Sequence, residues 1–258
     1  IAGGEFGVSG LEFEDYLYIF HEFDCFSDQL EALVKLRKSL EKNITELYGP
    51  CIEDGGAIAA PVESTDRAFT LMMDTVRQEG YEGKVGLGLD VAASELYDSQ
   101  TERYKVGKGM LGRDELALYY KKLCSDHPLE YIEDGFDEND ADGFCLIRDF
   151  PFTIQNVGDD LFTSNIRFLE KYRHCANGLL LKVNQIGTVS EAIRAASYAM
   201  SAGMDVTVSL RSGETDDDFI ADLAVAVGAR QIKLGSPVRM ERNVKYNRLL
   251  KIAEELGK

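Results

Sequence analysis

The stretch GLLLKVNQIG, residues 178–187, places Lys182 directly after an apolar run that predicts a buried strand. Similar runs, each short and rich in Val, Ile and Leu, recur along the chain and alternate with amphipathic stretches. This alternation is typical of a parallel sheet covered by helices. The predicted strands are KVGLGLD (84–90), LEYIED (129–134), FTIQNVGDD (152–160), GLLLKVN (178–184), DVTVSL (205–210) and RQIKLG (230–235).

Between and around these runs, apolar residues recur at helical spacing. One such helix has a clear start and end, because Thr188 is followed three residues later by Glu191 and the pattern closes at Gly203. Helices are predicted over residues 27–49, 64–80, 115–128, 188–203, 216–228 and 242–257. Since no linker or compositional break divides the repeated units, residues 1–258 are interpreted as one α/β domain. A doubly wound sheet and a (β/α)8 barrel both fit, and a length of 258 residues favours the barrel.

The charge balance limits the partners of the chain. With 28 Lys plus Arg against 45 Asp plus Glu, the formal charge is −17, so the average surface repels phosphate backbones and anionic membranes. We therefore expect no nucleic-acid partner and no membrane partner. Apolar runs stay below the roughly 20 residues of a membrane span, and residues 1–10 lack the pattern of a signal peptide, which predicts a cytoplasmic protein.

The cysteines are interpreted as reduced, structural thiols. They number 5, are widely spaced, and form neither a C-x-x-C pair nor a cluster with histidines along the sequence.

A polar or charged residue stands at or just beyond the end of each predicted strand: Asp90, Glu133, Asp159, Lys182, Arg211 with Ser212, and Lys233. Both candidate architectures place function at the carboxyl ends of strands. Three carboxylates from three strands supply the oxygen ligands that Mg²⁺ prefers. Each residue alone could be a solvated strand-end charge, but six together favour a site.

Lys182 is the candidate general base of this site. A lysine that lies beside a metal and is withdrawn from water has its charged form disfavoured, so it can accept a proton near neutral pH. The expected chemistry is abstraction of a proton whose carbanion is spread onto a metal-bound carboxylate.

Several segments resemble the catalytic barrel of enolase. They are LGLDVAASELYD (87–98), YIEDGFDENDA (131–141), VGDDLFTSN (157–165), LLLKVNQIGTVSEA (179–192), SLRSGETDDDFIADLAV (209–225) and QIKLGSPVRMERNVKYNRLLKIAEELG (231–257). The resemblance implies an enolase-type (β/α)8 TIM-like barrel and Mg²⁺-dependent interconversion of 2-phosphoglycerate and phosphoenolpyruvate. Nothing in residues 1–258 resembles the N-terminal capping domain of enolases. A fragment of a longer protein and a protein without a lid both stay open.

The resemblance also implies roles for single residues. Lys182 would be the base at carbon 2, and Lys233 would contact the substrate carboxylate. Arg211 and Ser212 would bind the phosphate. The implied metal ligands are Asp90, Glu133 and Asp159, and the residues at the positions of active-site glutamates are Asp54 and Asp15.

The sequence departs from the family pattern where imidazoles are expected. The motif SLRSGET carries Leu210 in place of a histidine, and EFGV places Phe6 at the position of another. Neither side chain can donate a hydrogen bond to phosphate or carry a proton. Asp54 and Asp15 shorten two carboxylates by one methylene each, and Gly135 replaces a proline. The acid half of the reaction is therefore expected to be impaired.

Three functions stay open at this point. The first is an active enolase of divergent sequence that binds a small phosphorylated carboxylate. The second is a catalytically inactive, enolase-like structural subunit of a larger assembly such as a cilium or flagellum, and the third is a related enzyme acting on another carboxylate. The resemblance also leaves open a homodimer.

Two further stretches have simpler interpretations. GKGMLG (107–112) spells a dinucleotide-binding fingerprint, but the preceding RYKV is a poor strand, so we predict a structural loop. YLYIF (16–20) is predicted to be a core strand.

Overall fold

A computed structural model describes residues 1–4, 10–21 and 23–257, and for residues 52–54 it describes the backbone alone. The strands are β1 (Asp15–Phe20), β2 (Ile52–Asp54), β3 (Ala57–Ala59), β4 (Val85–Asp90), β5 (Tyr97–Asp98), β6 (Arg103–Val106), β7 (Gly109–Leu111), β8 (Leu129–Glu133), β9 (Gln155–Gly158), β10 (Gly178–Leu181), β11 (Asp205–Ser209) and β12 (Gln231–Lys233). The helices are α1 (Phe26–Tyr48), α2 (Thr65–Gln78), α3 (Ala93–Leu96), α4 (Arg113–Asp126), α5 (Ala141–Arg148), α6 (Ile166–Tyr172), α7 (Val183–Ile186), α8 (Val189–Ser201), α9 (Phe219–Val227) and α10 (Met240–Glu255).

The main sheet is curled and has the strand order β1-β4-β8-β9-β10-β11-β12. Strands β4 to β12 of this order run parallel to one another, and β1 is antiparallel to β4. Beyond β1 the ladder continues through residues 1–3, where the Ala2 N–H donates to the Ile58 carbonyl of β3 at 2.9 Å. The α/β barrel architecture predicted from sequence is confirmed, with all six predicted parallel strands present but shorter than their apolar runs.

The first strand of the main sheet enters from the opposite direction. Its register pairs Asp15 with Asp90 and Phe20 with Val85. The start of β1 therefore lies at the same sheet edge as the carboxyl ends of the parallel strands. The prediction of a strand at YLYIF is confirmed, with Tyr16 buried and the rest of β1 half-buried.

Helix α8 shows how the sequence sets helix position. The Thr188 side chain accepts a hydrogen bond from the Glu191 N–H at 3.2 Å, which satisfies a free donor at the helix start. Its buried face consists of small side chains at helical spacing, so the helix backbone can approach β10 and β11 closely. Those residues are Ala192, Ala195, Ala196 and Ala199.

Gly135 has a steric explanation. A Cβ atom at this position would lie 2.6 Å from Ile147 Cδ1 and 3.1 Å from Ile132 Cγ2. The Gly135 carbonyl also accepts a hydrogen bond from the buried Tyr120 hydroxyl at 2.9 Å. Because Ile147 and Tyr120 fill the space around residue 135, a proline ring would require these neighbours to move.

The stretch GKGMLG does not form a dinucleotide-binding turn. It contains the turn after β6 and the whole of β7, which is antiparallel to β6, and Gly107 has φ 57° in that turn. A phosphate-binding fingerprint instead joins a strand to the helix of a parallel unit. The prediction that GKGMLG has a structural role is therefore confirmed, because the segment forms part of a β-hairpin.

Candidate functional site

The charged residues predicted at the strand ends gather at the carboxyl edge of the main sheet. Asp90 and Glu133 end β4 and β8, and Asp159 follows β9 directly. All three side chains are buried. Lys182 and Lys233 reach the same edge from β10 and β12 and are largely buried there.

Lys233 joins two of the carboxylates. Its Nζ lies 2.5 Å from Asp90 Oδ2 and 3.0 Å from both carboxylate oxygens of Glu133. The Tyr131 hydroxyl donates to Glu133 Oε2 at 2.6 Å, so this carboxylate is held from two sides. The two carboxylates share this one ammonium group and form a buried ion-pair cluster with it.

The electrostatics of this unit follow from burial and charge. Burial alone would lower the pKa of Lys233, but the carboxylates of Asp90 and Glu133 raise it well above its ordinary value. Burial would raise the pKa of Asp90, yet the charges of Lys233 and Lys182 and the hydrogen bonds of Asp90 together outweigh burial and lower that pKa. Burial, followed by the charge of Asp90, raises the pKa of Glu133. Lys233 is therefore the cation that keeps neighbouring carboxylates together in a dry environment.

A second lysine pairs with the third carboxylate. Lys182 Nζ forms an ion pair with Asp159 Oδ2, while Gln185 Nε2 donates to Asp159 Oδ1 at 2.6 Å. The Lys182 N–H donates to Ser164 Oγ at 2.9 Å. Ser164 is fully buried and has φ 55°, a backbone conformation that costs energy in a residue other than glycine. The loop after β9 thus orients both members of the pair.

The metal-ligand prediction is only partly matched by the geometry. Among the described residues, carboxylate oxygens that all lie within 4.8 Å of one another form two groups, Glu14–Asp15–Asp90 and Asp134–Asp159–Asp160. The predicted set of Asp90, Glu133 and Asp159 thus shares one mouth but is divided by the lysine contacts. Buried carboxylate oxygens are nevertheless the donor type that fits Mg²⁺.

Asp134, directly after Glu133, is a site residue that sequence analysis did not single out. Its carboxylate accepts the Asp159 N–H at 2.9 Å and the Asp160 N–H at 2.8 Å. Burial, together with the charge of Asp159, raises the pKa of Asp134. The carboxylate fixes the backbone of the Asp159 loop, so Asp134 acts through its neighbour. The pair of adjacent acidic residues at 133–134 was the available signal.

Arg211 and Ser212 lie on an exposed loop after β11 and are held from behind. The guanidinium group of Arg242, on α10, donates to the Arg211 carbonyl at 2.9 Å and to the Ser212 carbonyl at 2.8 Å. Arg242 is 3% exposed. The Arg211 side chain donates a hydrogen bond from Nη1 to Oδ1 of Asn184, two residues after Lys182, at 3.2 Å. The loop backbone is therefore positioned while the Arg211 side chain stays accessible.

Lys245 supports the same loop one helical turn further along α10. It is 1% exposed, and its Nζ lies 2.6 Å from Glu214 Oε2. It also donates to the Thr215 carbonyl at 2.9 Å and to the Glu241 carbonyl at 2.8 Å. The sequence pattern predicts only that α10 is an amphipathic helix, so it does not indicate a role for Arg242 or Lys245. Charged residues three apart on the otherwise apolar face were the signal.

The structure describes the positions that depart from the family pattern to different extents. Phe6 lies outside the described residues, and the structure gives Asp54 a backbone position in β2 without a described side chain. Leu210 is half-buried and packs against an apolar cluster that includes Leu234 and Leu249. An imidazole at position 210 would therefore have apolar neighbours on one side.

The start of β1 adds two further carboxylates to the edge. Burial raises the pKa of Asp15, which pairs in register with Asp90. Burial, followed by the charges of Asp90 and Asp15, raises the pKa of Glu14 to about 8. Sequence analysis identified Asp15 but not Glu14. A cavity of about 1040 Å³ is lined at this edge by Glu14, Lys182 and Arg211, and its lining extends to Phe20 and Arg230 at the opposite end of the strands.

None of the helices in the described ranges combines the length and apolar character of a membrane span.

A curled α/β barrel with buried carboxylates and lysines at the carboxyl edge of its strands defines the class of the protein. Within that class the sequence model described as "Enolase, C-terminal TIM barrel domain" matches residues 1–258. The chain belongs to this family.

Curated relatives named enolase match along nearly the whole chain. The enolase of Methanococcus vannielii is 43% identical over 259 residues, which cover 98% of this chain and 61% of the relative. The enolase of Methanopyrus kandleri is 43% identical over 265 residues, covering 100% of the chain and 62% of the relative. That of Pyrococcus furiosus is 42% identical over 264 residues, covering 99% and 61%. The chain thus spans about three fifths of the length of the curated relatives it matches.

Proposed function

We propose that this barrel carries out the dehydration of 2-phosphoglycerate to phosphoenolpyruvate, as an Mg²⁺-dependent enolase. The observation that carries the proposal is the convergence of two lysines with buried carboxylates at one edge of the sheet. Those residues are Lys182, Lys233, Asp90, Glu133 and Asp159. The names of the relatives support the same substrate class.

Asp90, Glu133 and Asp159 would hold the Mg²⁺ ion. Bound there, the ion would withdraw charge from the substrate carboxylate and so stabilise the negative charge that develops on removal of the proton. The buried carboxylate oxygens support this assignment, because oxygen is the donor type that Mg²⁺ prefers.

Lys182 would remove the proton at carbon 2. Its amine lies among buried groups and its backbone is fixed through Ser164, so the side chain has a defined approach to a substrate. Once Asp159 is engaged elsewhere, the Lys182 amine loses its partner and becomes available for the proton. Lys233 would face the substrate carboxylate, where its positive charge stabilises the enolate dianion.

Arg211 and Ser212 would bind the phosphate. A guanidinium group offers a planar set of donors that matches phosphate oxygens. The fixed backbone of residues 211–212 supports this role, because Arg242 holds both carbonyls in place. Asp54 would be the carboxylate that helps to expel the leaving hydroxide, and Asp15 would contact the substrate.

A second candidate function follows from Leu210, which adds an apolar surface next to Arg211. Without an imidazole there, phosphate oxygens lose a donor and the reaction loses a proton carrier. If turnover is lost altogether, the protein would be an enolase-like structural subunit.

The test is a direct assay of the full-length protein with 2-phosphoglycerate and Mg²⁺, followed through the ultraviolet absorbance of phosphoenolpyruvate. We expect turnover that is abolished by Lys182→Ala. Turnover should be retained by Lys108→Ala, which changes an exposed lysine in the turn between β6 and β7. Leu210→His is expected to increase the rate. Absence of turnover in the folded wild-type protein and in Leu210→His would contradict the enzyme proposal and favour the structural subunit.

A further inference from the structure

Three side chains that commonly bind transition metals converge at the opposite end of β10 from Lys182. Cys145 lies on α5, and His174 with Cys175 lies between α6 and β10. Their sulfur and nitrogen ligand atoms all lie within 4.8 Å of one another. Because β10 separates Cys175 from Lys182, this group is distinct from the carboxylate edge.

A buried amide fixes the spacing of the two thiols. Asn156 on β9 is fully buried, and its Nδ2 donates to the Phe144 carbonyl at 2.7 Å and to the Cys175 carbonyl at 2.9 Å. Phe144 directly precedes Cys145. One side chain therefore ties the backbone beside one cysteine to the backbone of the other.

A second contact ties the histidine to the same helix. The Arg148 guanidinium group donates to the His174 carbonyl, and Arg148 lies three residues after Cys145 on α5. The Cys175 N–H in turn donates to the Tyr172 carbonyl at 2.8 Å. The backbone around all three side chains is thus held before any ligand binds, which favours a defined geometry of the three ligand atoms.

Exposure is graded across the group. Cys175 is 1% exposed, Cys145 is half-buried and His174 is exposed. A cation could therefore arrive from solvent and be bound against a dry inner thiol. The inner thiol would lose its proton on binding a cation, because the thiolate is the form of cysteine that binds metals.

We propose that Cys145, His174 and Cys175 form a binding site for a thiophilic divalent cation of the Zn²⁺ type. Two sulfur ligands and one imidazole nitrogen fill three of the four positions of a tetrahedral zinc site, and the fourth faces solvent. Mg²⁺ prefers oxygen ligands, so the carboxylate edge and this site select different metals.

The proposal is tested with Co²⁺ as a spectroscopic probe. The full-length protein is reduced, freed of metal, and titrated with Co²⁺ in excess Mg²⁺, which occupies oxygen sites. We expect thiolate-to-cobalt charge-transfer absorption and tetrahedral visible bands that saturate at one equivalent. Zn²⁺ is expected to remove both, because it competes for the same ligands.

Substitutions assign the signal to its ligands. Cys145→Ser is expected to weaken Co²⁺ binding at least about a hundredfold, and His174→Ala is expected to weaken it while keeping charge-transfer absorption. Both positions have access to solvent, and circular dichroism confirms that the variants fold. Cys25→Ser is the matched control, since Cys25 is also half-buried but lies at the start of α1, with Sγ 2.9 Å from Ser27 Oγ.

Three results would overturn the proposal: wild-type protein without thiolate absorption, an unchanged signal in Cys145→Ser, or equal loss in Cys25→Ser. Loss of two free thiols on mild oxidation, in a reduced protein that fails to bind Co²⁺, would instead identify Cys145 and Cys175 as a disulfide pair.

Discussion

The two halves of the candidate site are held in place in different ways. The carboxylate half lies on strand ends, and its charges contact one another directly through Lys182 and Lys233. The other half, which is proposed to bind phosphate, is an exposed loop whose backbone is held by Arg242 and Lys245 from behind. The inner half therefore depends on ion pairs between the site residues themselves, whereas the outer half depends on buried cations of α10 that bind the loop carbonyls.

Lys233→Met tests the inner half and should have the largest effect. It leaves the carboxylates of Asp90 and Glu133 close together, buried and without their ammonium partner. Breaking a buried ion pair in this way costs about 3–5 kcal/mol. The free energy of unfolding, measured by urea denaturation with divalent cations chelated, should fall by that amount. Lys108→Met, at an exposed position, should change it by less than about 0.5 kcal/mol. Equal small effects would remove the distinction between the halves.

Lys245→Met tests the outer half. The change removes hydrogen bonds to the Thr215 and Glu241 carbonyls and the charge next to Glu214. Hydrogen bonds to a charged group contribute about 1.5–3 kcal/mol, and a loss of about 2–3 kcal/mol is expected. Lys251→Met, an exposed change on the same helix, serves as the control in the same urea titration. A stability equal to wild type would show that the loop does not depend on α10.

The pH dependence of the free energy of unfolding provides a further test of the inner half, because the pKa of Glu14 is raised. The folded chain keeps a proton on Glu14 between its ordinary pKa of 4.5 and the raised pKa of about 8, while the unfolded chain has released it. The folded state therefore binds more protons in this window, and its stability falls as the pH rises from about 4.5 to 8. The slope from one group is at most about 1.4 kcal/mol per pH unit.

Glu14→Gln should remove this part of the pH dependence, because an amide does not titrate. The difference in free energy of unfolding between the variant and wild type is measured at several pH values across the window. A difference that stays constant from pH 5 to pH 9 would show that Glu14 titrates normally.

Arg211→Gln should have the smallest effect on stability, below about 0.5 kcal/mol, because the side chain is exposed and the loop is held through its carbonyls. Binding of 2-phosphoglycerate with Mg²⁺, measured by calorimetry, should nevertheless weaken by at least about tenfold, since a charged hydrogen bond to phosphate is lost. Unchanged affinity would place the phosphate elsewhere in the cavity.

The sequence was sufficient to predict the six parallel strands, β1 and the charged residues at the strand ends, but not the short strands β2, β3, β5, β6 and β7. An apolar run followed by a carboxylate or lysine, as at LGLD (87–90), carries both signals within a few residues. The sequence pattern does not indicate which of those side chains contact one another. Lys233 and Glu133 are a hundred positions apart, and their pairing depends on the curl of the sheet rather than on any local pattern.

Residues that support the site from outside were also missed. Arg242 and Lys245 lie on α10, whose periodicity predicts only that one face of the helix is buried. Periodicity does not indicate which buried cation donates a hydrogen bond to a loop carbonyl. The cysteines were interpreted one at a time. The neighbouring pair His174–Cys175 was a signal, but Cys145 joins it only through the packing of α5.

The pairing of β1 with β4 along its whole length has a consequence for how the chain tolerates insertions. In a connection between a strand and a helix, an added residue can be absorbed by the loop. In β1, an insertion after Asp15 would exchange the two faces of the strand, moving Tyr16 away from Thr65, to which its hydroxyl is bonded at 2.8 Å. Length variation among related chains should therefore collect in the helical connections and avoid residues 15–20.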